Sequence, residues 1–91
     1  IKDREHGIVA SRGYEGSYLV YRNIGNGNRD FVGYIHKHLS LGNKFMWFVA
    51  GAVRKVPGKK TAVVRASHQV GHPDQLSAAK ELMALYRRYN G

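Results

Sequence analysis

Cysteine is absent from this chain of 91 residues, which excludes disulfides, thiolate nucleophiles and cysteine-held zinc or iron–sulfur centres. Acids are scarce: 6 Asp and Glu stand against 15 Lys and Arg, for a formal net charge of +9. Long apolar runs are missing too. The longest, Phe45 to Val53, falls far short of the roughly 20 residues that a membrane-spanning helix needs. The charged opening Ile1-Lys2-Asp3-Arg4-Glu5-His6 does not fit the hydrophobic segment of a signal peptide. These absences point to an intracellular protein, cytoplasmic or in the nucleoid or nucleus, with no membrane partner.

The residues present suffice for a core. Hydrophobic residues make up 43 % of the chain, enough for one small folded domain and too many for a disordered basic tail. Residues 1–91 are expected to form a single domain, with 1–16 as a flexible or partly ordered arm. No internal repeat or low-complexity linker divides it.

The charge is unevenly spread. Asp3, Glu5, Glu15 and Asp30 lie in the first third, and Asp74 and Glu81 near the end. From Phe31 to Pro73 there is no acid, while Lys37, Lys44, Arg54, Lys55, Lys59, Lys60 and Arg65 accumulate with His36, His38, His68 and His72. A second basic cluster, Lys80, Arg87 and Arg88, comes near the C-terminus. Soluble surfaces ordinarily mix both signs, because like charges repel and weaken the compact state. An acid-free stretch reads as the footprint of a polyanion; a solubilising face or an acidic protein partner is the competing reading.

The pattern predicts an α+β fold. Ile8-Val9-Ala10 suits a short strand, and Ser17 to Arg22 is rich in β-branched and aromatic residues up to Gly25-Asn26-Gly27-Asn28, a tight hairpin turn. Asp30 to His38 returns, and Lys44 to Arg54 comes next as a strand apolar on both alternating faces, which suits cover on both sides. Pro57-Gly58 favours a type II turn into Thr61 to Ser67. After Pro73 the period changes: Asp74 can cap a helix with Leu76, Ala79, Leu82, Met83, Tyr86 and Tyr89 on one face, and Ser77, Lys80, Glu81, Arg87 and Arg88 on the other. The expectation is an antiparallel meander of three to five strands followed by one amphipathic helix packed on one sheet face. It leaves an exposed sheet edge through which two copies can pair.

The outline is similar to small DNA-binding domains that lay a three-stranded sheet in the major groove, such as integrase arm-binding and plant AP2-type domains. Trp47 on a middle strand and the helix segment Ser77-Ala78-Ala79-Lys80-Glu81-Leu82 carry the likeness. The arginine-rich strand motif of the AP2 family is missing, and no residue role is carried over.

Arg54, Lys55, Lys59 and Lys60 crowd one turn, where cations reach phosphates and release condensed counterions. Lys44, Arg65, Tyr34, His36 and His38 are candidates to refine placement, since an aromatic and cationic sheet surface lets bases stack and phosphates pair. On the helix, Arg87 and Arg88 either track a phosphate backbone or complement the helix dipole. The turn at Gly25 lacks the spacing of a nucleotide-binding loop. His36 with His38 could chelate a metal, but no nearby acid or cysteine completes a first shell. The leading expectation is a non-catalytic nucleic-acid-binding module for DNA or RNA without a cofactor. The alternatives are an inhibitor or regulator docking on an acidic or nucleic-acid-handling protein, and a metal-independent ribonuclease using His36, His38, Lys37 and Arg65.

Overall fold

A computed structural model describes residues 2–3, 7–13, 16–40, 42–59, 62–65 and 70–90. These form β1 (Lys2–Asp3), β2 (Ile8–Arg12), β3 (Ser17–Gly25), β4 (Asn28–Leu39), β5 (Phe45–Arg54), β6 (Ala62–Arg65) and α1 (Gln75–Asn90). Each strand pairs antiparallel with the one before it, so spatial order equals chain order. This is the expected α+β meander with one terminal helix, in which the two-residue β1 adds a short ribbon beyond five longer strands.

The predicted turns have the backbone that their residues favour. Asn26 and Gly27 sit at φ 52° and 73° between the paired Gly25 and Asn28, the double positive φ of a type I′ hairpin. Gly58 has φ 75°, and Lys59 N donates to the Val56 carbonyl at 3.0 Å, closing the Pro57-Gly58 turn. Asp74 caps α1: its Oδ1 accepts from Ser77 N at 2.8 Å. That backbone hydrogen bond, helped by the Ser77 side chain, holds the Asp74 carboxyl below its ordinary range.

Inserted residues decide which side chains share a face. In the β3–β4 ladder Val20 pairs with Gly33 but Tyr21 pairs with Phe31, so Val32 is a bulge. In the β4–β5 ladder Tyr34 pairs with Gly51 but Ile35 pairs with Val49, so Ala50 is another. Cross-strand partners point to the same side of a sheet. Ala10, Val20, Gly33 and Ala52 therefore form one row, against which α1 lies. Ile8, Ile35 and Val49 extend the buried cluster on the sheet; Ala78, Ala79, Leu82, Met83 and Tyr86 supply it from the helix.

Gly33 is the tightest point. A Cβ there would fall on the Gly51 carbonyl oxygen and come within 2.9 Å of Leu82 Cδ1 and 3.0 Å of Ala52 Cα. Only a residue without a side chain lets β4, β5 and the helix approach this closely.

One expectation is corrected. β5 has α1 on one face, but no described helix or strand packs on the other. Phe48 is nonetheless only 8 % exposed, with the His36 ring edge-on at 5.9 Å. Gly71, in the segment that leads into α1, lies close against Met46 on this same face. Beyond the end of β6, His72 continues the pairing at the edge of β5: its N and O bond Trp47 O and N at 2.7 and 2.8 Å.

Gly33→Ala is expected to lower stability by about 1–3 kcal/mol through overpacking, read as a lower urea midpoint. An unchanged midpoint would show that the strands separate freely at this position.

Candidate nucleic-acid interface

Arg22 on β3 and Asp30 on β4 are cross-strand partners, and Asp30 gathers three donors. Arg22 Nε donates at 3.3 Å, Lys55 Nζ at 2.7 Å and Tyr86 OH at 2.6 Å. The Arg22 guanidinium and the Lys55 ammonium also lie over the Tyr86 ring, at 5.2 and 5.7 Å from its centroid. Next to them Asn90 ties the end of α1 to the end of β5. Its Oδ1 accepts from Lys55 N at 2.7 Å, and its Nδ2 donates to the carbonyls of Val53 and Tyr86, both at 2.8 Å.

This arrangement leaves an open groove of about 480 Å³. Arg22, Lys55, Arg87 and Asn90 give it polar walls, and Tyr86, Val56 and Pro57 give it apolar ones. Burial pushes the Asp30 carboxyl up, but the hydrogen bonds from Lys55 and Tyr86 and the charges of Lys55 and Arg22 outweigh this and hold it below its ordinary value. The bond to Asp30 in turn raises the Lys55 ammonium. Asp30 and Lys55 are therefore both charged at neutral pH, and Asp30 is neutralised from within the protein.

The two basic clusters of the sequence thus meet. Lys55, just past the end of β5, lines the same groove as Arg87 on the last turn of α1, and Arg54, Lys59 and Arg88 are exposed close by in the chain. Lys60 lies outside the described residues, as does the side chain of Arg65, whose backbone pairs with Gly51. Lys44 is not brought in. It precedes β5, at the opposite end from Arg54, a strand length of about 30 Å away. Tyr34, His36 and His38 alternate with the buried Gly33 and Ile35 along β4 and face away from α1.

Arg22, Asp30, Tyr86 and Asn90 are not among the candidates that the sequence suggests. Counting outward from the Asn26-Gly27 turn pairs Arg22 with Phe31, but a second irregularity at Ile24 shifts its partner to Asp30. Tyr86 reads as core from its helical spacing, which it also is, at 3 % exposed. The signal within reach is Asp30 itself, the last acid before the acid-free stretch.

The histidines make a separate group. The His36 and His38 rings lie 5.5 Å apart, and His36 Nε2 has no partner among the described residues. Burial, and then the neighbouring His38, hold the His36 pKa below its ordinary value. Lys37 is on the opposite face, over the Phe45 ring at 5.7 Å. His72 Nε2 instead meets the Glu81 carboxylate. Among the described residues no group of three or more His, Asp or Glu is placed to hold a metal ion, and no helix is long and apolar enough to cross a membrane. Comparison of the chain with family models, curated proteins and solved structures finds no match in any of the three.

These groups define two pH windows. His36 and Asp30 both have folded pKa values below their unfolded ones, so in each window the unfolded chain binds more protons and stability is lost as pH falls. The His36 contribution is complete above its ordinary 6.5 and is lost as pH falls through the lower folded value. The Asp30 contribution is complete above 3.8 and is lost below it in the same way. Urea midpoints are expected to drop on acidification through both windows, with His36→Gln flattening the first and Asp30→Asn the second. A variant that keeps the full slope would remove that residue from the account.

Proposed function

We propose that this chain is a non-catalytic nucleic-acid-binding module that holds backbone phosphates in the groove between the β5–β6 turn and the last turn of α1. The observation that carries the reading is the convergence of Arg22, Lys55 and Arg87 on one groove, beside an acid that is already bonded from three sides. The remaining described acids with placed side chains are likewise engaged: Asp74 by Ser77 N and Glu81 by His72. Exposed Arg54, Lys59, Arg87 and Arg88 have no acidic partner among the described residues. Their field favours a polyanion.

The groove residues divide the work. Arg87 presents a guanidinium suited to bidentate phosphate contact. Lys55 is held in place by Asp30 before any ligand arrives, so less side-chain entropy is lost on binding. Asn90 keeps the turn against the helix. An intracellular setting goes with this reading.

A second reading is an acidic protein partner. It draws on the apolar wall of Val56, 37 % exposed, beside the cations.

Fluorescence anisotropy against duplex DNA, single-stranded DNA and RNA at several salt concentrations separates the two. Engagement of about five duplex phosphates gives a logarithmic salt slope of roughly −4.5, and Arg87→Gln or Lys59→Gln should each reduce its size by about 0.9. A flat salt dependence, or no binding at low salt, overturns the proposal. If charge reversal at Lys59 abolishes a protein complex while nucleic acid never binds, the second reading stands in its place.

A further inference from the structure

The sheet face opposite α1 carries a row of rings that strand alternation alone would not assemble. Phe31 and Tyr34 are three residues apart and would point to opposite sides of a regular strand. The bulge at Val32 puts them on one side, where their ring centroids are 5.1 Å apart and 77° from coplanar. Tyr21, paired with Phe31, joins them at 5.5 Å and 52°. Further along β4, His36 and His38 continue the row, with Phe48 beside His36 on β5.

The row has the physical character of a stacking surface. Its tyrosines are half-buried, and no described helix or strand covers them. The ring pairs are tilted or edge-to-face, so they do not spend their π-faces on one another in parallel stacks. The charge of the face is compatible with one kind of ligand. Arg29, two residues before Phe31, is exposed, and the described acids with placed side chains lie elsewhere: Asp30 and Glu81 against the helix side, Asp74 at its cap.

We infer that the Tyr21–Phe31–Tyr34 part of this face binds single-stranded nucleic acid by stacking unpaired bases on those three rings. The inference rests on the phosphate-binding reading above and deepens it by naming the strand state. Bases within a duplex are already stacked and present only edges, whereas unpaired bases offer π-faces to aromatic side chains. The two surfaces meet at the β3–β4 hairpin. There the Arg22–Asp30 pair faces the helix, and the next pair, Tyr21–Phe31, faces away.

The test compares oligouridine with a DNA duplex of equal length, using the full chain. Tyr21→Leu and Tyr34→Leu are each expected to weaken oligouridine binding by about 5- to 150-fold, the range for loss of one stacked base. Duplex affinity should stay within about twofold, and Tyr34→Phe should retain oligouridine affinity. Arg87→Gln should weaken both ligands. Because a leucine variant can fail to fold, photocrosslinking of a 4-thiouridine strand to the unaltered chain gives an independent reading, expected at Tyr21, Phe31 or Tyr34. Full oligouridine affinity in folded leucine variants, or crosslinks confined to the β5–β6 turn and α1, would overturn the stacking inference and leave phosphate binding intact. Failure to bind either ligand would overturn both.

Discussion

The close approach at Gly33 is the constraint on which the rest of the structure depends. With no side chain there, Leu82 reaches down onto the sheet, β4 passes hard against Gly51 and Ala52, and Val32 is accommodated as an extra residue. The helix seat and the composition of the opposite face come from the same local irregularity. On one side it buries Val20, Ile35 and Ala52 under Ala78, Ala79 and Leu82. On the other it aligns Phe31 with Tyr34. A bulge re-aims side chains without breaking the sheet, and here it does so for both faces at once.

Asp30 plays the corresponding part in the electrostatics. A carboxylate only 17 % exposed would be costly alone, yet three donors from β3, the end of β5 and the helix converge on it. Those bonds keep it ionised and connect three parts of the chain at the place where like charges crowd together. One internal anion thus permits Arg22 and Lys55 to lie close to each other and to Arg87 without a ligand present. Asn90 completes the connection through the backbone of Val53 and Lys55.

Much of the architecture is legible in the chain because it depends on local chemistry. Asn26-Gly27 and Pro57-Gly58 have few other low-energy conformations, and Asp74 stands one residue before the helix it caps. The helix face is legible too, apart from Ala78, whose burial reflects how near the sheet comes. The basic groove is half legible. Lys55 and Arg87 stand out by charge, but in two separate clusters, and the residues that join them do not. Arg22 and Asp30 pair only because Ile24 is an extra residue in β3, and no propensity or charge pattern announces that.

By itself, then, the sequence determined the element types, the turns, the cap, and the excess of positive charge beyond Phe31, since each depends on neighbours in the chain. Tertiary structure alone decided which cations share a groove, which acid they surround, and which aromatic rings share a face. The physical reason is the two-residue period of a strand. Each inserted residue reverses the facing of the residues after it, and whether it is inserted depends on contacts such as Gly33 with Leu82, made between residues far apart in sequence.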